Sequence, residues 1–123
     1  MSDLTELAGR YIAVWNEPDQ HQRAAAISEL FTADATYTDP LADVRGHEGI
    51  GAVIAGAREQ FQGFDFRLLG EVDAHHHIAR FQWELVPAGG GENLVIGFDV
   101  AVSDGAGKIR AVHGFLDKVP AGA

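Results

Sequence analysis

A chain of 123 residues with 46% hydrophobic and 22% charged side chains has the composition of one folded domain, which argues against a disordered protein. The net charge of −9 argues against nucleic acid and anionic membrane surfaces as partners, because both repel a negative protein. The absence of cysteine excludes disulfide and thiolate chemistry and fits a reducing cytoplasm, where we expect the protein to act. We expect a single domain over residues 1–123.

The first predicted helix has an apolar stripe at helical spacing, made of Leu4, Leu7, Tyr11, Val14 and Trp15. Ser2 or Asp3 can cap its start, and Pro18 requires it to end near Asn16. Tyr11 has two interpretations, an ordinary amphipathic core residue or a hydroxyl donor in a pocket.

A second helix is predicted to begin at the capping pair Asp19 and Gln22. Its inward residues are expected to be Ala24, Ile27, Leu30 and Phe31. A third helix is predicted over residues 46–60, and its several glycines mean that tertiary packing must support it.

A short extended segment, Thr36-Tyr37-Thr38-Asp39, is ended by Pro40. Side chains alternate across a strand, so Tyr37 and Asp39 fall on the same face. Asp-Pro often begins a turn, which is one explanation of Asp39.

From Phe64 onwards the apolar pattern alternates, which predicts four strands joined by hairpins into an antiparallel sheet. The strand that contains Trp83 has an apolar face of Ala79, Phe81, Trp83 and Leu85. The last strand is predicted over residues 109–119. With the helices placed before it, this sheet gives an α+β domain whose helices cover one sheet face.

The strand predicted over residues 94–103 carries a carboxyl group at its centre, Asp99. One face is wholly apolar, and the other has Val95, Gly97, Ala101 and Ser103 around Asp99. Small side chains leave room, so this face resembles a cavity wall. A buried carboxyl must be paired or neutral, because an unpaired buried charge is very costly.

One interpretation of the histidine run His75, His76 and His77 is a metal site, since His75 and His77 share a face of a strand. The run begins a strand, where polar residues are expected, so we predict a solvated hairpin edge, no metal and no cofactor. Arg80 is expected at a pocket rim or in an ion pair.

The element order, together with Phe31-Thr-Ala-Asp-Ala-Thr-Tyr-Thr-Asp-Pro40, resembles the nuclear-transport-factor-2-like superfamily. Its members include SnoaL-like polyketide cyclases, ketosteroid isomerases and limonene epoxide hydrolases. The resemblance implies a cystatin-like cone, with three N-terminal helices packed on a curved, mainly antiparallel sheet that encloses one apolar pocket. It also implies a homodimer formed through the convex sheet face.

Within the superfamily the chain is most similar to ketosteroid isomerase at three positions. These are Tyr11 in Arg-Tyr-Ile-Ala, Asp39 in Asp-Pro, and Asp99 on the strand before Gly-Ala-Gly-Lys. The resemblance implies that Asp39 removes a proton next to a carbonyl group, while Tyr11 and a neutral Asp99 donate hydrogen bonds to the enolate oxygen. The expected pocket residues are Trp15, Tyr37, Phe61, Trp83, Gly97 and Ala101.

Two hypotheses follow. The first is a cofactor-free isomerase or cyclase that acts on a small, apolar carbonyl compound. The second is a non-catalytic ligand-binding or dimeric scaffold module of the same fold. The second predicts an ionised Asp99 paired with Arg80 or Arg110. The epoxide hydrolase pattern fits less well, because Gln82 stands where a carboxylate is wanted.

Overall fold

The computed structural model describes residues 2–120, with side chains from residue 4 onwards. The elements in chain order are α1 (Ser2–Asn16), α2 (Gln20–Leu30), β1 (Phe31–Asp39), β2 (Ala42–Arg45), α3 (Gly46–Gln60), β3 (Phe64–His75), β4 (Ile78–Pro87), β5 (Val95–Ser103) and β6 (Ile109–Lys118). The predicted capping side chains of Ser2 and Asp3 lie outside the described side chains.

The six strands form one sheet in the order β2-β1-β6-β5-β4-β3. Neighbouring strands are antiparallel except for β1 and β6, which are parallel and carry a register irregularity between Phe31 and Thr36. The three helices pack against the sheet, with α1 mainly on β3 and α3 mainly on β1. The predicted α+β class, with helices on a mainly antiparallel sheet, is therefore confirmed. No helix among the described residues is long and apolar enough to cross a membrane.

The helix predictions were largely accurate. The first helix ends at Asn16, the third spans residues 46–60, and the Asp19 side chain accepts a hydrogen bond of 2.9 Å from the Gln22 backbone N–H. The inward face of α2 was partly wrong. Ala24 is exposed, whereas Arg23 is buried because its guanidinium donates to the Glu17 carbonyl oxygen at 2.8 Å.

The strands also differ from the prediction in two places. The strand before Pro40 is longer than expected and begins at Phe31, directly after α2. The short strand β2 was not predicted, because its four residues pair with β1 only after the turn at Asp39.

The two faces of β5 have different surroundings. Val95, Gly97, Asp99, Ala101 and Ser103 are buried beneath the helices. The apolar face of Ile96, Phe98, Val100 and Val102 is only half-buried and forms part of the outer sheet surface. The carboxyl group is thus on the core side of the strand, and the larger hydrophobic side chains are on the outside.

Candidate functional site

A buried hydrogen bond joins the first helix to the centre of the sheet. The Tyr11 hydroxyl donates to Asp99 Oδ2 at 2.9 Å, and the side chains are 1% and 2% exposed. The apolar stripe of α1 lies against the sheet, which turns Tyr11 towards β5. The Tyr11 ring also contacts Trp15, Phe31 and Phe81 edge-on.

Burial raises the pKa of Asp99 from 3.8 to about 6, because desolvation disfavours the charged carboxylate. The hydrogen bond from Tyr11 and the nearby indole N–H of Trp83 lower this pKa, and the negative charge of Asp39 raises it. Desolvation also raises the pKa of Tyr11 well above its usual range, assisted by the negative charge of Asp99. Tyr11 therefore stays protonated and remains the donor of the pair.

Asp39 is held by a second tyrosine and by the turn that follows it. Tyr37, which is buried, donates to Asp39 Oδ2 at 2.6 Å. The backbone N–H groups of Leu41 and Ala42 both donate to Asp39 Oδ1 at 2.8 Å. The predicted shared face of Tyr37 and Asp39 is correct, and Asp39 also has the turn-forming contacts considered from the sequence.

The two carboxyl groups lie close together on either side of Gly114. A Cβ atom built on Gly114 would lie 2.8 Å from Asp99 Oδ1 and 3.2 Å from Asp39 Cβ. Those two atoms are therefore no more than 6.0 Å apart, the sum of the two distances. Asp39 and Asp99 are distant in the sequence. They come together because β6 pairs with β1 on one side and with β5 on the other.

A small cavity lies beside Asp99. It is lined by Tyr11, Ile12, Trp15, Tyr37, Phe66, Trp83 and Asp99. The cavity is small and has room for about one water molecule.

Trp83 forms one wall of this cavity and lies flat against Gly97, its partner across β4 and β5. A Cβ atom on Gly97 would lie only 2.1 Å from the indole ring, so the ring can occupy this place only above a glycine. Trp83 is half-buried, whereas the other six lining residues are buried. It is therefore the wall that solvent already reaches.

Comparison with known proteins identifies the family. A model of the SnoaL-like domain matches residues 8–112. The chain belongs to the SnoaL-like family. Its structure resembles a protein from Agrobacterium tumefaciens str. C58 that carries a provisional name as an isomerase of the SnoaL-like family. The two share 36% sequence identity and a TM-score of 0.89, over 95% of this chain and 99% of that one.

More distant structures share the fold of this SnoaL-like domain. A nuclear-transport-factor-2-like protein from Mesorhizobium loti has 21% identity and a TM-score of 0.67, over 94% of this chain and 92% of that one. A second nuclear-transport-factor-2-like protein, from Novosphingobium aromaticivorans, has a cystatin-like fold. It shares 21% identity and a TM-score of 0.71 with this chain, over 99% of this chain and 84% of that one. The predicted superfamily and fold are thus confirmed. No curated protein matches the chain significantly.

In this SnoaL-like domain, five of the residues expected at the site line one cavity: Tyr11, Trp15, Tyr37, Trp83 and Asp99. Asp39 does not line the cavity, but it accepts a hydrogen bond from the lining residue Tyr37. Gly97 supports Trp83 from below. Phe61 instead packs edge-on against Phe64 after α3, and Ala101 lies between Ala79 and Val112 in the sheet, so neither is among the lining residues.

Sequence reasoning missed Ile12, Phe66 and Gly114. Ile12 and Phe66 read as ordinary core residues, and Gly114 gave no signal without knowledge of the strand register. Arg80 is in an exposed ion pair with Asp73 at 3.1 Å, as one of its two interpretations predicted. It is therefore not the partner of Asp99. His75, His76 and His77 are exposed.

Proposed function

We propose that this SnoaL-like protein catalyses proton transfer on a small, mostly apolar carbonyl compound without a cofactor, as an isomerase or a cyclase does. The observation that carries the proposal is the Asp99 carboxyl group, which is buried beside a cavity, bonded to Tyr11 and raised in pKa to about 6. A general base or acid works best when its pKa is near the working pH. The provisional isomerase name of the Agrobacterium protein supports the same reaction class.

Asp99 is the group to which we assign the proton transfer. With a pKa of about 6, the Asp99 carboxyl is mostly in its ionised form at pH 7. It can therefore accept a proton from the carbon next to the carbonyl group and return it to another carbon of the resulting enolate. Tyr11 holds Asp99 in position through the hydroxyl proton that it donates.

This assignment differs from the one that the resemblance implied, in which Asp39 is the base. The Asp39 carboxylate already accepts three hydrogen bonds, one from the Tyr37 hydroxyl and two from backbone N–H groups, so both of its oxygens are engaged within the protein. It is also absent from the residues that line the cavity. We therefore give Asp39 a supporting function. Its charge raises the pKa of Asp99, and its carboxylate accepts the hydrogen bond from the Tyr37 hydroxyl.

A carbonyl compound larger than water requires a wider cavity than the present one. We assign this widening to Trp83, because its indole is the half-buried wall and rests on the flat backbone of Gly97. Its movement would give up the donor that it presents to Asp99. Outward rotation of this indole would join the cavity to solvent. The remaining walls are buried, and they consist of aromatic and aliphatic side chains except for Asp99, which suits an apolar ligand body.

The proposal is tested with 3-cyclohexen-1-one in deuterated buffer. Deuterium incorporation next to the carbonyl group, followed by NMR, reports proton removal, and the ultraviolet absorbance of the conjugated product reports isomerisation. We expect both to exceed the buffer rate, to be lost in Asp99→Asn and to fall less in Asp39→Asn. Exchange at the buffer rate in the wild type, or full activity in Asp99→Asn, would remove the proposal.

We also propose that two copies associate through the outer sheet face. Ile96, Phe98, Val100 and Val102 of β5 are only half-buried there, and Phe115, opposite Phe98 on β6, is 58% exposed. Contiguous apolar surface of this kind is typical of an interface. Its rim is polar, with Arg80 and Gln82 on β4 and His113 on β6.

A further inference from the structure

The Trp15 side chain has a donor that the protein leaves unused. Its indole Nε1–H is the one buried side-chain polar atom without a hydrogen-bond partner among the described residues. Trp15 is only 8% exposed and lines the cavity beside Tyr11 and Asp99. The indole lowers the pKa of Tyr11 slightly, as a nearby donor does, but it does not reach hydrogen-bond geometry with that hydroxyl.

The two hydroxyl donors at the cavity are already committed, and the Trp83 indole N–H acts on Asp99, whose pKa it lowers. A tyrosine hydroxyl has a single proton. That of Tyr11 goes to Asp99, and that of Tyr37 goes to Asp39. Both carboxylates are acceptors when ionised. An acceptor atom that enters the cavity therefore finds Trp15 Nε1–H available without the loss of an existing bond.

Burial of an indole N–H without an acceptor costs free energy, commonly about 1–3 kcal/mol. A phenylalanine at this position would contact the same aromatic neighbours, Tyr37 and Phe66, without that cost. The donor is thus not needed for packing. The cavity beside it has room for one acceptor atom of the size of a water oxygen.

We infer that Trp15 Nε1–H binds the carbonyl oxygen of the ligand, and that Trp15 is the residue that orients the ligand in the site. The inference rests on the proposed function in taking the ligand to be a carbonyl compound. With the oxygen on Trp15, the adjacent carbon faces Asp99 across the same cavity. The indole N–H would also stabilise the negative charge that develops on this oxygen as the carbon loses its proton.

The test uses two probes of nearly equal shape, cyclohexanone and methylenecyclohexane, which differ in the acceptor oxygen. The chain has two tryptophans, so its ¹⁵N-labelled form gives two indole N–H signals, assigned with Trp15→Phe and Trp83→Phe. We expect cyclohexanone to move the Trp15 indole proton downfield in a saturable manner and methylenecyclohexane not to do so.

The affinities provide the second readout. The preference for the ketone over the hydrocarbon should fall about 3- to 10-fold in Trp15→Phe, as expected for one neutral hydrogen bond. It should persist in Phe61→Leu, which changes an aromatic residue outside the cavity lining. An unmoved Trp15 signal up to the solubility limit of the ketone, equal shifts with both probes, or an unchanged preference in Trp15→Phe would each overturn the inference. If Trp15→Phe does not fold, the wild-type shift decides.

This inference and the proposed function can fail separately. A ketone-dependent shift of Trp15 without deuterium exchange would leave the oxygen site in place and remove the proton-transfer reaction. Deuterium exchange with an unmoved Trp15 signal would support the proton-transfer reaction and remove Trp15 as the binding site of the carbonyl oxygen.

Discussion

Gly114 lies directly across from Asp99 in the β5–β6 ladder, and its missing side chain leaves the place that the Asp99 carboxyl occupies. A Cβ atom there would be 2.8 Å from Asp99 Oδ1, closer than carbon and oxygen approach without displacement. The Asp99 carboxyl cannot simply turn away, because Tyr11 holds its other oxygen. The position of the carboxyl group in the site thus depends on a residue with no functional group.

Gly114→Ala should therefore disturb the Tyr11–Asp99 hydrogen bond. We expect a loss of about 1–3 kcal/mol in the free energy of unfolding, the range typical of overpacking. Urea unfolding measures this loss. Gly9→Ala is the matched control, because Gly9 is exposed on α1 and an added Cβ there meets nothing within 4 Å. Alanine should stabilise that helix by up to about 1 kcal/mol. Equal stability of Gly114→Ala and wild type would contradict the close packing.

Gly97→Ala should displace the Trp83 indole. The added Cβ would lie 2.1 Å from the ring. The backbone of Gly97 is held in the sheet between β4 and β6, so the ring must move instead. In a Trp15→Phe background, Trp83 is the sole tryptophan, and acrylamide quenching of its fluorescence reports its exposure. We expect stronger quenching in Gly97→Ala than in the same background with Gly97. Unchanged quenching would mean that the ring adjusts in place.

The pH dependence of stability should reveal the raised pKa of Asp99. Its pKa of about 6 in the folded protein exceeds the ordinary value of 3.8, so the native state binds more protons than the unfolded state between these pH values. Stability from this group is greatest below about pH 4 and declines as the pH rises to about 6. Relative to wild type, Asp99→Asn should gain about 2–3 kcal/mol in free energy of unfolding between pH 4 and pH 8.

Asp104 provides a control of opposite sign. Backbone N–H groups of Ala106 and Lys108 lower the pKa of Asp104, so its contribution is present above the unfolded pKa and is lost as the pH falls through the folded value. Asp104→Asn should therefore be less stable than wild type near pH 7, with the difference shrinking in acid. If Asp99→Asn followed the Asp104 pattern, Asp99 would be a paired structural carboxylate, as the scaffold hypothesis predicted.

The proposed dimer predicts that a charge on the outer sheet face separates the copies. Phe115→Asp should give a monomer in analytical ultracentrifugation, because an aspartate would have to be buried in the interface. Leu41→Asp is the matched control, since Leu41 is 84% exposed in the turn between β1 and β2. It should keep the wild-type mass. A monomeric wild type would remove the dimer proposal.

The sequence by itself determined the class of the fold, the family and most element bounds. Alternation along β5 put Asp99 among small residues and predicted a cavity on that side, because side-chain direction in a strand follows from position alone. The same local rule paired Tyr37 with Asp39. The stripe that contains Tyr11 and Trp15 likewise needed only helical spacing.

Only the tertiary structure decided how these residues meet. Strand register placed Gly114 opposite Asp99 and Gly97 beneath Trp83, and register depends on pairing between segments distant in the chain. The packing of α1 on the sheet places the Tyr11 hydroxyl where it donates a hydrogen bond to Asp99, and it leaves the Trp15 indole N–H without a partner. Which donor is free, and which carboxylate is desolvated, are properties of a three-dimensional arrangement, so no local pattern in the sequence could supply them.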